Sequence, residues 1–366
     1  MKPNFYEITG QFAFDGDFIE AVPYGSGHIN DTYAASFRLR NGRTHRYILQ
    51  RINHRVFREP EKLMENIEGV TKHLRRKILL AGRDPGRETL NLVPTISGSP
   101  FLKTEEGEYW RSYIFIENAR TYDVVENRDH FRNGGKAFGR FQEGLGDFPA
   151  EKLHETIPDF HNTKKRYNAF LKAVEQDAAN RAASAGLEID FVAKRAADAA
   201  VLVDLLEVGA LPLRVTHNDT KFNNIMIDDN TGEGICVIDL DTVMPGLSLY
   251  DFGDSIRSGT NPAAEDEKDL SKVWMELELF ECFTRGYLES ARDFLVPAEL
   301  EYLPFAAKLM TFECGMRFLT DYLNGDTYFK VHREGHNLDR ARTQFKMVSD
   351  MESKMDRMQE IVRKYS

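Results

Sequence analysis

Cysteine is scarce in this chain, and its three cysteines, at 236, 282 and 314, lack the paired spacing of a metal-binding motif. An odd and unpatterned set predicts neither a disulfide framework nor a zinc site, and it suits a reducing cytoplasm. Uncharged apolar runs of membrane-spanning length are missing, and the first residues lack the apolar stretch of a signal peptide. We therefore expect a cytoplasmic protein without a membrane partner.

Dense runs of Lys and Arg are also missing, and the formal net charge is −10. A nucleic-acid groove gains affinity by neutralising phosphates, so nucleic acid is excluded as a partner. An anionic ligand must then be held locally, by backbone amides, a few cations or a metal ion. With 42% hydrophobic and 29% charged residues, the composition is that of a globular protein. A length of 366 residues favours two lobes over one core, and we expect a monomer.

The stretch 215–224, V-T-H-N-D-T-K-F-N-N, carries the pattern around which the chain is organised. His217, Asp219 and Asn224 have the spacing H-x-D-x-x-x-x-N, and Asp239 ends an apolar run that predicts a strand. Kinase-type phosphoryl transfer needs one carboxylate to accept the proton of the attacking hydroxyl, and amide and carboxylate oxygens to hold Mg²⁺. The alternative is that these residues merely close turns and a strand, which requires several spacings to agree by accident.

These residue types suggest individual roles. Asp219 is the candidate general base, and His217 is expected to brace the loop by hydrogen bonding. Asn224 and Asp239 are the candidate magnesium ligands, with Asp241 assisting. The D-F-G triplet at 251–253 is a weaker metal candidate, because it has no preceding apolar strand and opens a helix, where Asp is a favourable N-terminal residue.

The N-terminal region predicts antiparallel strands around a glycine turn. A strand at 18–24 leads into G-S-G-H at 25–28, and alternating residues at 32–40 pair with 47–52 across Asn41-Gly42. Backbone amides of such a turn can approach phosphates, so we select as nucleotide-binding candidates Gly25, Gly27 and His28. For a lone Gly-x-Gly, an ordinary hairpin bend remains the alternative.

The third strand lacks the lysine that a kinase-like fold places there for the nucleotide phosphates. Gln50 occupies that position. The phosphate-binding cation is therefore unassigned, with Arg51 or a residue from elsewhere as its replacement.

A predicted strand at 109–116 ends in the connection between two lobes. Backbone groups of Ile116 and Glu117 could bind an adenine edge there. The lobes are then 1–117, which binds nucleotide, and 118–366, which is catalytic. Short strands are expected around 92–94 and 213–216, and helices from Pro60 and at 130–143, 163–176, 188–208, 265–290, 297–324 and 337–364. The fold class is α+β, a two-lobed protein-kinase-like fold with a small antiparallel sheet and a larger, mostly helical C-terminal lobe.

The segment 217–224, followed by I-D-L-D at 238–241, resembles the aminoglycoside phosphotransferase and choline kinase family, which phosphorylates small molecules. The resemblance is closer still to the N-acetylhexosamine 1-kinases of this family. It covers nearly the whole chain, including Y-G-S-G-H-I-N at 24–30, D-F-G-D-S-I-R at 251–257 and E-C-G-M-R-F-L at 313–319. It implies ATP and Mg²⁺, phosphorylation of the anomeric hydroxyl of N-acetylglucosamine or N-acetylgalactosamine, and sugar contacts by Arg317 and Tyr328.

Three rival interpretations remain open. The first is a kinase of another small alcohol or amino sugar, such as choline, homoserine or an aminoglycoside; choline would need an aromatic cage. The second is a nucleotide-binding module without turnover, suggested by Gln50. The third is a zinc hydrolase at His332 and His336, although that pair has an internal glycine and no obvious third ligand.

Overall fold

The computed structural model of the protein describes residues 3–25, 27 and 29–366, and its strands are concentrated in the first third of the chain. The strands are β1 (Asp17–Pro23), β2 (Asp31–Arg38), β3 (Thr44–Ile52), β4 (Leu102–Lys103), β5 (Tyr109–Ile114), β6 (Ala119–Arg120), β7 (Arg214–Thr216), β8 (Ile225–Asp228), β9 (Gly234–Val237) and β10 (Met244–Gly246). The helices are α1 (Phe5–Thr9), α2 (Pro60–Leu80), α3 (Pro85–Glu88), α4 (Arg128–Gly144), α5 (Thr163–Gln176), α6 (Gly186–Ala193), α7 (Val201–Glu207), α8 (Ser248–Gly259), α9 (Leu277–Ala291), α10 (Pro297–Leu323) and α11 (His336–Tyr365).

A five-stranded antiparallel sheet forms the N-terminal lobe, in the order β1-β2-β3-β5-β4. Alternation along β2 and β3 buries Ala35, Phe37 and Leu49 in one small core with Trp110. Gly42 adopts a φ of 81° in the turn between them, a conformation that glycine reaches without strain. The strand expected around 92–94 is reduced to a single bridge between Leu92 and Tyr113.

Helix α2 follows the sheet but packs against the C-terminal half of the chain. Its apolar face buries Leu63, Ile67 and Val70 in the same core as residues of α4, α8 and α10. Asn66, also buried, donates hydrogen bonds to the carbonyl oxygens of His154 and Val243, at 2.8 and 2.9 Å. These contacts fix the sheet-bearing lobe to the segment that leads into β10.

Two helix pairs build most of the larger lobe. Helices α4 and α9 approach closely because glycines line their contact, and α10 packs against both α8 and α11. The predicted helices at 163–176, 297–324 and 337–364 correspond to α5, α10 and α11 within one residue at each end. The architecture confirms the expected fold class. In the part of the chain that the structure describes, no helix has both the length and the apolar character needed to cross a bilayer.

Two predicted helices are wrong in extent. The segment 188–208 is broken into α6, a 3₁₀ turn and α7, because Arg195 leaves helical geometry and makes a two-point contact with Glu352 on α11. The predicted helix 265–290 begins only at Leu277. Before it, the backbone of Met275 bonds the side chains of Asp350 and Lys354 instead of forming helical hydrogen bonds.

Candidate active site

The loop after β7 is held from behind by a buried carboxylate on α8. Asp251 accepts hydrogen bonds from the backbone N–H groups of His217 at 2.9 Å and Asn218 at 2.8 Å, and from the Gln142 amide at 2.8 Å. Burial raises the pKa of Asp251, although these donors oppose the shift. Both Asp251 oxygens are therefore committed to the loop, and the side chain braces it.

His217 connects this loop to the segment after β9. Its Nδ1 accepts the backbone N–H of Asp219 at 3.2 Å, and its Nε2 lies 2.8 Å from the carbonyl oxygen of Ile238. A carbonyl only accepts, so these partners assign the proton to Nε2. The ring is fully buried, which suits a bracing role and prevents direct contact with a ligand.

Asp219 presents its carboxylate to the cleft between the lobes. Its Oδ1 lies 2.8 Å from Lys221 Nζ, and its Oδ2 lies 3.3 Å from Asn224 Nδ2. The same Asn224 nitrogen donates to the Asp219 carbonyl oxygen at 2.8 Å. Asp219 is thus held by two side chains of its own loop while 29% of its side chain stays exposed, so a substrate hydroxyl can reach it.

Asp239 lies beside this carboxylate. It adopts a left-handed conformation, with a φ of 60°, directly after Ile238, whose N–H donates to the Asn224 carbonyl oxygen at 2.9 Å. Its side chain opens onto the cleft but is surrounded by protein, so desolvation and the charges of Asp241 and Asp219 raise its pKa to about 6. A divalent cation would relieve that repulsion, and an aspartate with an Asn oxygen suits Mg²⁺, which keeps several waters.

Asp241 is enclosed by residues of the N-terminal lobe. One of its oxygens forms an ion pair with Arg111, which is 1% exposed on β5, and the other accepts the Asn30 amide at 2.5 Å. Arg111 also donates through Nε to Gln50 at 3.0 Å. Gln50 therefore orients a buried arginine, and Asp241 lies behind the cleft where its oxygens are already paired.

Ile116 and Glu117 lie between β5 and β6. None of the described residues hydrogen-bonds the N–H or C=O of Ile116, although this residue is 5% exposed. Buried backbone groups are normally paired, so a ligand edge is expected to satisfy these two. Glu117 is more occupied: its carboxylate binds Arg46, with Nε to Oε1 at 3.0 Å, and its carbonyl accepts Arg87 at 2.6 Å.

Gly25 and Gly27 lie between β1 and β2. Gly25 has a φ of 82°, and a Cβ would meet nothing within 4 Å at either Gly25 or Gly27, so the backbone at both positions is open to a ligand. Asn30, just before β2, donates its amide to Asp241 at 2.5 Å and accepts through Oδ1 the Asn53 N–H at 2.9 Å. The candidate His28 lies outside the described residues.

Arg317 and Tyr328 lie close to each other in the C-terminal lobe. The Arg317 guanidinium is 6.0 Å from the Tyr328 ring centre and 5.2 Å from that of Phe160. His161 lies between α10 and the loop after β7, with Nδ1 2.7 Å from Glu313 and Nε2 3.4 Å from the Asn218 carbonyl oxygen. The helix that carries Arg317 is thus connected through His161 to the loop that carries Asp219.

The histidine pair at 332 and 336 is not arranged as a metal site. His336 Nε2 lies 3.0 Å from Asp266, and its Nδ1 accepts the backbone N–H of His332. Both nitrogens are already paired. Across the residues that the structure describes, no cluster of three or more His, Cys, Asp or Glu side chains could hold a metal.

Sequence reasoning missed four contributors to the site. Arg111 could have been suspected, since a charged side chain stands in a strand that is mostly apolar. Lys221 lies in the motif 215–224, but it received no role from the sequence. The bracing by Asp251 and the link through His161 left no local signal, because their partners lie 33 and 57 residues away in sequence.

Comparisons with known proteins identify one family match and several similar folds. Residues 20–273 match the phosphotransferase enzyme family. An aminoglycoside phosphotransferase from Alicyclobacillus acidocaldarius superposes with a TM-score of 0.63 at 11% identity, covering 100% of this chain and 97% of that one. A choline kinase from Cryptosporidium parvum gives 0.56 at 14%, covering 93% and 91%. An amicoumacin kinase in complex with AMP-PNP and Ca²⁺ gives 0.54 at 14%, covering 92% and 91%. At these identities the likeness is one of fold.

Proposed function

We propose, given that this chain belongs to the phosphotransferase enzyme family, that it transfers the γ-phosphoryl group of ATP to the anomeric hydroxyl of N-acetylglucosamine or N-acetylgalactosamine. The membership makes it a small-molecule kinase. The choice of acceptor rests on the resemblance of its motifs to N-acetylhexosamine 1-kinases. The observation that supports the phosphotransferase chemistry is the convergence of Asp219, Asn224 and Asp239: the Asn224 side chain donates to Asp219, and the backbone carbonyl oxygen of Asn224 accepts from Ile238, the residue before Asp239.

The proposed reaction is a single in-line transfer. The oxygen on C1 of the sugar attacks the γ-phosphorus, a new O–P bond forms, and the bond from that phosphorus to the β,γ-bridging oxygen breaks. The hydroxyl proton passes to a carboxylate oxygen of Asp219, and ADP leaves with the electron pair of the broken bond. The chain contributes mostly position and charge.

Asn224 and Asp239 would hold Mg²⁺. The Asn224 nitrogen already donates to Asp219, so its amide oxygen is the atom available to a cation. When bound, the ion would neutralise phosphate charge as the bridging bond breaks. Asp241 would then act from behind the site, through its pairing with Arg111 and Asn30.

The nucleotide would lie between the lobes. We propose that the adenine edge meets the backbone of Ile116 and Glu117, and that the turn with Gly25, Gly27 and His28 covers the phosphates. The lobe boundary between 117 and 118 follows from this arrangement. A cytoplasmic monomer with no partner beyond ATP and sugar completes the proposal.

The sugar would bind against Arg317 and Tyr328. Arg317 carries a charge beside three aromatic rings, and sugars combine apolar ring faces with hydroxyls that accept from guanidinium groups. Tyr328 is 66% exposed, as expected of a residue at the entrance of a site.

The test measures ADP release with ATP and Mg²⁺ across both N-acetylhexosamines, the simple hexoses, choline, homoserine and an aminoglycoside. The matched control substrate is methyl N-acetylglucosaminide, which keeps every group except a free anomeric hydroxyl. We expect release with the free sugar, none with the glycoside, and a sugar 1-phosphate by phosphorus NMR. Release with the glycoside, or faster turnover of choline or an aminoglycoside, would overturn the assignment.

A further inference from the structure

Because Gln50 replaces the usual lysine on the third strand, a different basic residue must bind the ATP phosphates. ATP brings a highly charged triphosphate to a site that already holds the carboxylates of Asp219 and Asp239, and these like charges repel one another unless cations compensate them. A second cation besides the metal ion is needed. Four basic residues near the site could supply it, and their surroundings separate them.

Arg51 and Arg111 are committed elsewhere. Arg51 is adjacent to Gln50 on β3, so alternation turns it to the opposite face of the sheet, where it pairs with Asp31 and with Glu108 at 3.7 Å. Arg111 is almost completely buried, and its Nε and Nη1 donate to Gln50 and Asp241. Neither side chain can reach a phosphate without breaking those contacts.

Arg257 is committed in the same way. It is buried on α8 and binds Asp254 through Nε at 2.8 Å and Nη2 at 2.7 Å. Lys221 differs from all three, because 47% of its side chain is exposed. Its one ion pair among the described residues is with Asp219, so an accessible ammonium group with three donors lies beside the proposed base.

Partial desolvation would lower the pKa of Lys221, but the charges of Asp219 and Asp254 outweigh it and raise the pKa. The ammonium therefore stays charged over the working range of a kinase. A lysine is a compact point charge on a flexible stem, and it can turn from a carboxylate to a phosphate a few ångströms away.

We propose that Lys221 is the γ-phosphate-binding cation of this site, moved from the third strand of the sheet to the catalytic loop. The proposal rests on the phosphotransferase function proposed above, and not on the identity of the acceptor. Lys221 would contact the γ-phosphoryl group from the side of Asp219 and separate their negative charges before and during transfer.

The test compares the affinities for ATP and ADP, each with Mg²⁺ and without any sugar. ADP lacks the γ-phosphate, so Lys221→Met should weaken ATP binding by about ten- to a hundredfold, as expected for one charge-assisted hydrogen bond, and change ADP binding less than about threefold. Lys221→Arg should retain part of the preference for ATP. The matched control is Lys72→Met, which removes a lysine also 2.8 Å from a carboxylate, on the surface of α2, and should alter neither affinity.

A purely structural role for Lys221 predicts a different pattern. Equal losses for ATP and ADP, or no loss for either, would overturn the proposal. Suppose that Lys221→Met changes the pH profile of kcat but leaves the ratio of the ATP and ADP dissociation constants unchanged. That result would also overturn the proposal, because Lys221 would then act only on the protonation of Asp219. The binding assay contains no acceptor, so it still tests the role of Lys221 if the sugar assignment is wrong. Wild-type protein that binds neither nucleotide would refute both proposals.

Discussion

At the scale of single residues, the carboxylate of Asp219 is the group on which turnover is expected to depend. It is held by Lys221 and Asn224, and it is open to the cleft. Asp219→Asn keeps the shape but cannot accept the proton, so we expect kcat to fall by about a hundred- to ten-thousandfold. Steady-state kinetics with ATP and the best acceptor measure the kcat of the variant relative to that of wild type.

The control for this variant is Asp229→Asn, which removes an exposed carboxylate paired with Arg120. It should leave kcat within about twofold, because exposed pairs contribute little. Near-normal turnover in Asp219→Asn, with an unchanged melting temperature, would remove Asp219 as the base. A loss of both activity and melting temperature would instead indicate a structural role.

At the scale of elements, the contact between α4 and α9 depends on glycine. A Cβ at Gly286 would come within 1.9 Å of the Arg132 carbonyl oxygen, and one at Gly135 within 2.4 Å of that of Phe283. Gly286→Ala must push the two backbones apart, so we expect a loss of about 1–3 kcal/mol in the free energy of unfolding, or more if the helices cannot shift. Urea denaturation measures this loss.

A matched control is Gly186→Ala, at the start of α6, where a Cβ would meet nothing within 4 Å and φ is −56°. This substitution should be neutral or slightly stabilising, because alanine reduces the freedom of the unfolded chain. If Gly286→Ala were as stable as Gly186→Ala, close helix packing would not be a determinant of this lobe.

At the scale of the whole molecule, the lobes are joined by a buried ion pair between Arg111 and Asp241. Arg111→Met leaves a buried carboxylate without its cation, so we expect about 3–5 kcal/mol of destabilisation. Arg51→Met is the control, because its pairs are partly exposed and should contribute about 0–1 kcal/mol. Chemical denaturation of both variants measures the difference, and equal losses would contradict this account.

Acid stability provides a second test at this scale. Burial alone would raise the pKa of Glu313, but His161 and Arg317 lower it below the ordinary value of 4.5. The folded protein then binds fewer protons than the unfolded chain, so stability is present above pH 4.5 and is lost as the pH falls through the lowered pKa. Glu313→Gln should flatten this part of the profile.

Denaturation between pH 3 and 6 checks the slope against wild type. The control is Glu334→Gln, at an exposed position, which should keep the wild-type slope. A Glu313→Gln profile parallel to that of wild type would show that the buried contacts among Glu313, His161 and Arg317 do not govern acid unfolding.

The sequence by itself determined whatever depends on short-range pattern. Alternating apolar residues and Asn41-Gly42 were sufficient for the β2–β3 hairpin, and apolar periodicity for α5, α10 and α11, since these elements follow from neighbouring residues. The spacing of His217, Asp219 and Asn224 likewise predicted a single loop, and in the structure Asp219 is hydrogen-bonded to both of the other side chains.

Tertiary structure alone decided which distant side chains meet. In the folded chain Gln50 accepts a hydrogen bond from Arg111. Asp251 accepts one from the backbone of Asn218, 33 residues earlier, and so holds the loop after β7. The break of 188–208 and the late start of α9 have the same origin, because Arg195 and Met275 exchange helical hydrogen bonds for partners on α11. Such exchanges depend on which distant chain segments pack together, and the local pattern of apolar residues cannot predict this packing.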